Sequence, residues 1–258
     1  MQLSFSFGIS EESRACRLEK VLAAARRTAY YSAYLPGPPG DGSAERAISN
    51  LPPVDIGAYL AHREQFRNPG ARMTDSGADR LRAAPSGWRQ KLGFRAETIA
   101  GPLQALLRLV GSGEKLPASV RRVVVHTGLG ELLLSERTRE TLWRAFELPV
   151  FEELRGSGGE VLAFECDAHA GLHLKKDSAI FEILDGELVV TSLAAMAYPV
   201  VRLRTGLKGT IERGPCPCGE TVARFIPAAA SGAGRKAPAG AQTMRTSLDL
   251  GLTRTLAR

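Results

Sequence analysis

Two cysteines one residue apart, in Gly214-Pro-Cys-Pro-Cys-Gly-Glu220, are the residues of this sequence best placed to do chemistry. The 258 residues hold only four cysteines, too few for a disulfide framework, and reduced thiols brought into a cluster favour metal over a bridge. In an extended segment residues i and i+2 point the same way, so Cys216 and Cys218 can face one zinc ion. Ligands at about 2.3 Å in a tetrahedron set their sulfurs about 3.8 Å apart. Pro217 fixes φ between the two thiols, and Gly219 lets the chain turn around the ion. Cys166, His169 and His173 lie upstream, and Cys166 with one histidine completes a Cys3His set. His173, which opens the strand-like "GLHLKKDSAIFEIL", is the expected ligand; His169, in the preceding turn, is the alternative. A closed set leaves no open coordination position, so the zinc is expected to be structural. The competing reading makes Cys166 a core thiol and Cys-Pro-Cys an ordinary rigid turn. Cys16 stands alone on the first helix and reads as a small core residue.

A clamp of this kind needs rigid segments to carry it. "VLAFEC", "AIFEIL", "ELVVTSL" and "PVVRLR" read as successive strands without intervening helices, with Asp185-Gly186 as a two-residue hairpin turn. Before them, "RRVVVH" (Arg121–His126) reads as a buried strand and "PVFEEL" as another. Between these lies an amphipathic helix, Ser135–Phe146, begun by Ser135 and burying Leu142, Trp143 and Phe146. That is a βαβ-like succession. Nearer the N-terminus, Ser10 with Glu11 and Glu12 starts a helix whose apolar residues recur at Leu18, Val21, Leu22, Ala25 and Ala29. It is expected to end near Tyr34, before the breaker run that starts at Pro36. "LPPVDIGAYLAHREQF" reads as an extended Leu-Pro-Pro segment and a short helix capped by Asp55. Residues 67–95 read as loop, and "ETIAGPLQALLRLVG" as a helix interrupted near Gly101-Pro102. The expected organisation is a helical N-terminal region with an irregular segment (1–120), an α/β part running into an antiparallel β-rich part (121–225), and a flexible basic tail (226–258).

Hydrophobic content of 44% and charged content of 24% are ordinary globular values. No run reaches the ~20 apolar residues a membrane helix needs, and the first residues lack a signal-peptide pattern. The expectation is a cytoplasmic protein without a membrane partner. A net charge of +7 invites a nucleic-acid reading. However, from Val222 onward six basic residues face one acidic residue, so most of the excess sits in the tail, with no recognition motif beside it. No nucleic-acid partner is expected.

Taken in order, "AFECDAHAGLHL", "GELVVTSLAAMAYPVVRLRTG" and "GPCPCGET" resemble the phenylacetate–coenzyme A ligase family of adenylate-forming, AMP-binding enzymes. "VVVHTGLGELLLSERTRETLWRAFELPVFEELRG" resembles that family's Gly-Gly-Glu-Pro-Leu-Ser helix and strand, and "AARRTAYYSAYLPG" its tyrosine-rich N-terminal helix. The resemblance implies a shortened N-terminal domain of an α/β adenylate-forming enzyme. It also implies ATP and Mg2+, coenzyme A, and a carboxylate or acyl-coenzyme A small molecule as partners. Members convert a carboxylate to an acyl-adenylate and pass the acyl group to the thiol of coenzyme A.

Carried over by motif, Glu160 in "LRGSGGE" takes the place of the Mg2+-associated glutamate, with Arg155 where a tyrosine would lie. Glu131 in "GLGEL" falls in the Gly-Gly-Glu segment, whose backbone lies near the adenine. Arg204 could meet an anion, with pairing to Glu182 or Glu187 the alternative for it and Arg202; His126 could line the acyl pocket. The family's Arg-Thr-x-Asp reads Arg204-Thr205-Gly206-Leu207-Lys208, so the ribose-holding aspartate is missing, and Lys208 cannot accept hydrogen bonds. No phosphate-loop spacing occurs in "GSGEKLP" or "SGAGRK". The 37 residues after Thr221 are too few for the family's C-terminal lid. Two functions follow: a shortened ligase-like enzyme completed by another protein chain, or a zinc-stabilised non-catalytic binding or regulatory module.

Overall fold

The computed structural model describes residues 14–35, 44–71, 93–95, 97–113 and 115–228. These belong to one compact unit, Met1–Ala228. The Ser10-Glu11-Glu12 cap, the breaker run after Leu35, most of the 67–95 loop, "SGAGRK" and the tail beyond Ala228 lie outside the described residues.

The apolar stripe of the first helix produces α1 (Arg14–Arg26), which buries Leu18, Val21, Leu22, Ala24 and Ala25. One continuous helix to Tyr34 does not form. Thr28 breaks it: its hydroxyl donates to Ala25 O (2.7 Å) and accepts from Tyr31 N (3.1 Å), ending one helix and capping α2 (Ala29–Ser32). After α3 (Ala44–Ser49), the Leu-Pro-Pro segment leads into β1 (Val54–Asp55) and α4 (Ile56–Ala61). Asp55 caps α4 as expected, its carboxylate accepting from Ala58 N at 3.1 Å. A 3-10 turn, Arg63–Phe66, closes this region. Its core gathers Leu18, Leu22, Tyr31, Tyr59 and Phe66 against Leu193, Val200, Val201 and Leu203. The Tyr31 hydroxyl donates to Val201 O (3.0 Å) and accepts from Val201 N (3.1 Å), so a buried phenol satisfies two backbone groups far away in sequence.

The α/β part begins with β2 (Gly93–Arg95), antiparallel to β3 (Thr98–Pro102), two strands that the sequence suggests as loop and helix. β3 pairs in parallel with β4 (Arg122–Gly128) from Thr98↔Arg122 to Pro102↔His126, and that ladder overrides helical propensity. The helix starts only at Leu103, giving α5 (Leu103–Ser112). β4 then runs through α6 (Glu136–Phe146) to the parallel β5 (Val150–Arg155), the expected βαβ unit. Ser135 caps α6 through Thr138 N (3.2 Å). Leu142 of α6 is fully buried with Leu106, Leu109, Val123 and Val125. Trp143, expected in the core, is 55% exposed, because a step of about 100° turns it off the face that holds Leu142, while Phe146, one turn further on, packs partly buried against that core.

The rest is antiparallel: β6 (Val161–Glu165), β7 (Leu172–Leu174), β8 (Ala179–Leu184), β9 (Glu187–Ser192), β10 (Leu203–Glu212) and β11 (Arg224–Pro227). Asp185 and Gly186 join β8 to β9 with φ of 52° and 71°, the two positive values the predicted hairpin turn requires. The eleven strands form one sheet in the order β2-β3-β4-β5-β6-β7-β11-β10-β9-β8, with β1 beside β10. β11 was not expected from the sequence, which placed its second half in the tail. It inserts between β7 and β10, and that insertion brings the distant cysteines together. Among the described residues no helix is long and apolar enough to cross a membrane.

Candidate metal centre

β6 and β7 are antiparallel neighbours, paired from Ala163↔Leu174 to Glu165↔Leu172. Cys166 follows the end of β6, and His173 sits at the middle of β7. Beyond β10 the chain makes a loop carrying Cys216 and Cys218, then returns as β11 beside β7 with Arg224 opposite His173. Four ligand-bearing positions from three segments therefore meet at one end of the sheet.

Cys216 and Cys218 do not lie in the extended segment the sequence suggested. Cys216 N donates to Glu220 O (2.7 Å) and Gly219 N to Cys216 O (2.8 Å), so the pair rides on a tight turn. Gly219 takes φ 94°, the turning role expected of it. This arrangement directs both sulfurs inward as well as a strand would.

One ligand atom each from Cys166, His173, Cys216 and Cys218 lies within 4.8 Å of all the others. Cys166 Sγ is 3.7 Å from Cys216 Sγ, and Cys218 Sγ is 3.5 Å from His173 Nε2. The sulfur spacing is what tetrahedral ligation of one ion requires, about 3.8 Å. A Cys3His cluster of this geometry could hold a metal ion. His173 is fully buried, and burial followed by the nearby Arg224 guanidinium lowers its pKa, which keeps the imidazole in its neutral, ligating form. Its Nδ1 has no hydrogen-bond partner; the ring is oriented instead by stacking on Phe164, centroids 5.4 Å apart. Burial and the neighbouring thiols push Cys166 up to about 11. For Cys216 burial acts in the same direction, but the backbone of Cys218, the two other thiols and Arg224 outweigh it and lower its pKa. Cys216 thus ionises more readily than Cys166, and an ion would favour the thiolate form of both.

His169, the alternative ligand, is not in the cluster. It adopts φ 47°, its Nδ1 lies 3.0 Å from Glu165 Oε1, and its ring stacks on Phe151 at 5.3 Å. Glu165 in turn receives a two-pronged contact from Arg139 of α6, at 2.9 and 3.0 Å. Beside it, buried Glu152 accepts from Thr127 Oγ1 (2.5 Å) and Leu134 N (2.8 Å), and burial raises its pKa. This network ties α6 to the turn that carries Cys166. The sequence reading missed it, although carboxylates inside the apolar runs "PVFEEL" and "VLAFEC" were a visible signal that buried partners must exist.

The motif residues are each held by partners within the chain. Glu131 accepts from Gly128 N at 2.7 Å. Glu160 accepts from Gly158 N (2.9 Å) and Ser192 Oγ (2.5 Å). Arg155, at the end of β5, pairs with Glu153 and lies 3.0 Å from His126 Nε2. Arg202 pairs with Glu182 at 3.3 Å. Arg204 contacts Asp185 (3.1 Å) and Glu187 (3.2 Å), and Lys208 donates to the same Glu187 at 3.1 Å. Burial pushes the Glu187 carboxyl up, but Gly206 N–H, Lys208 and Arg204 outweigh it and hold it below the usual range. Leu207 faces inward among Leu188, Val190 and Phe225. A hollow of about 410 Å³ lies apart from the metal cluster, lined by residues 60–65 and Tyr198, with the Arg63 guanidinium 4.3 Å above the Tyr198 ring.

The mixed α/β fold, with its large and mostly antiparallel sheet, matches that of an adenylate-forming enzyme domain. The solved structure that carries this likeness is 2-hydroxyisobutyryl-CoA ligase (HCL) in the postadenylation state in complex with R3-HIB-AMP. It matches with a TM-score of 0.52 and 13% identity over 87% of this chain and 72% of that one. The same ligase in an open conformation with 2-HIB-AMP and CoA gives a TM-score of 0.42 at 16% identity, over 83% of this chain and 52% of that chain. The chain spans about half the length of that second ligase chain. No protein-family model matches the sequence, and no curated protein does.

Proposed function

We propose that this chain is a phenylacetate–coenzyme A ligase-like protein of the adenylate-forming superfamily that serves as a zinc-stapled binding or regulatory module. Cys166, His173, Cys216 and Cys218 hold a structural zinc, which supplies a cross-link between the β6–β7 turn, β7 and the β10–β11 loop. The observation that carries the non-catalytic reading is the use of Glu187. This one carboxylate engages Arg204, Lys208 and Gly206 N, three residues of the segment that resembles the family's Arg-Thr-x-Asp motif. Lys208 brings donors alone, and Leu207 is turned into the core. Glu160 accepts from Gly158 N and Ser192 Oγ, so both of its oxygens have partners within the chain.

A second reading is favoured by the ligase fold and by Glu160 and Glu131 standing at their motif positions. In it the chain binds a carboxylate or acyl-coenzyme A, with ATP and Mg2+, and a second protein chain completes the adenylation site. Isothermal titration with ATP–Mg2+ and with coenzyme A separates the two readings. The module reading expects no saturable nucleotide binding at millimolar concentration. Saturable binding that Glu160→Gln abolishes would establish the second reading.

A further inference from the structure

We infer that Arg224 is the positioning residue of the Cys3His centre, neutralising its excess charge and tying the Cys216 loop to the β6–β7 turn and to the end of β10. The inference rests on the zinc reading above. Three thiolates and a neutral imidazole around a divalent ion leave a net charge of −1, which the low-dielectric surroundings on the buried Cys216 and His173 side penalise. Arg224 supplies the matching positive charge at the right place. Its Nη1 lies 3.7 Å from Cys216 Sγ and also donates to Ala170 O at 2.9 Å, while Nη2 reaches Glu212 at 3.4 Å.

Each contact belongs to a different segment. Ala170 lies in the turn between Cys166 and His173, Cys216 in the loop before β11, and Glu212 at the end of β10. The backbone places the guanidinium there by register: Arg224 of β11 is the cross-strand partner of both His173 on β7 and Glu212 on β10. The residue is only 8% exposed, so its charge is screened little by solvent. A buried arginine in an apolar strand needs a reason, and among the described residues the Glu212 carboxylate, 56% exposed, is too solvated to be the whole of it. The thiolate side of the contact supplies the remainder.

The test compares zinc affinity, by competition with a chromogenic chelator, and the absorption of the cobalt-substituted protein for wild type, Arg224→Met and Arg224→Lys. Arg224→Met removes charge and donors, and its affinity is expected to fall about 10- to 100-fold, the usual effect of losing an outer partner. Its sulfur-to-cobalt charge-transfer band is expected to shift as Cys216 loses its N–H contact. Arg224→Lys keeps stem and charge but loses the fork; it preserves the fold and is expected to fall between the two. Should Arg224→Met prove too unstable to purify, the lysine variant decides alone: zinc affinity within twofold of wild type and an unmoved cobalt band overturn the role. Equal zinc affinity in all three proteins overturns the role of Arg224 alone. A wild type that takes up neither metal overturns the zinc reading together with it.

Discussion

Replacing Cys218 by serine tests the staple without disturbing packing. Cys218 is exposed, so the substitution leaves the apolar core intact and acts through the metal. The size of the effect follows from the chain the clamp closes. Cys166 and Cys216 are 50 residues apart, and cross-linking a loop of that length removes unfolded-state entropy worth about 4 kcal/mol at 25 °C. Metal affinity sets a similar scale: a thousandfold loss of affinity, with zinc in excess, costs about 4 kcal/mol of stability. For a domain of this size, about 4 kcal/mol corresponds to roughly 8–16 °C in Tm. Thermal melts of both proteins, each with zinc and with chelator, give four curves. The chelated wild type and chelated Cys218→Ser should melt together, within about 0.5 kcal/mol, as surface substitutions usually do. Zinc should raise the wild type by the full amount and the variant by less than a third of it. The reasoning is refuted if chelator leaves the wild-type melt unchanged, or if zinc raises both proteins equally.

Acidification should release the metal, because its ligands must be deprotonated; zinc-dependent stabilisation present at neutral pH should be gone near pH 4, followed as free zinc with a fluorescent indicator. Tyr31→Phe removes the phenol that serves both Val201 groups and should cost about 1–3 kcal/mol in urea unfolding; a loss under about 0.5 kcal/mol would mean that the paired contact contributes little. Glu187 is held below the usual carboxylate range, so its folded pKa lies under its unfolded one. Its stabilisation is therefore complete above about pH 4.5 and is lost as pH falls through the folded value. Glu187→Gln should be less stable than wild type at neutral pH, with the gap closing on acidification, measured by unfolding at several pH values. Arg139→Met strands Glu165 in a buried position beside Cys166 and should destabilise by about 3 kcal/mol, read from the same unfolding curves.

Short-range chemistry was legible in the sequence, and long-range pairing was not. Asp55, Ser135 and Asp185-Gly186 announced a cap, a cap and a hairpin because each acts on neighbours a few residues away. Of the two candidate histidines, His173 on β7 is the one whose ring lies with the three cysteines. Thr98–Pro102 was misjudged because its strand identity comes from the ladder with β4, which lies across α5 in sequence. β11 was missed for a related reason: four residues with little apolar pattern become a strand only when β7 and β10 present both edges. That miss concealed Arg224 as well. Trp143 shows the opposite limit, where amphipathicity located the helix but not which of two adjacent apolar residues faces the sheet. The three cysteines declared their chemistry by type and spacing, yet only the inserted strand explains how residues 50 apart come to meet.

The central claim is that three sulfurs and one imidazole nitrogen share a single zinc. Zinc K-edge X-ray absorption on the purified protein tests it most directly. The account predicts one zinc per chain with three sulfurs at about 2.3 Å and one nitrogen at about 2.0 Å. Protein purified without chelator that carries no zinc, or zinc surrounded by oxygen and nitrogen alone, would contradict it.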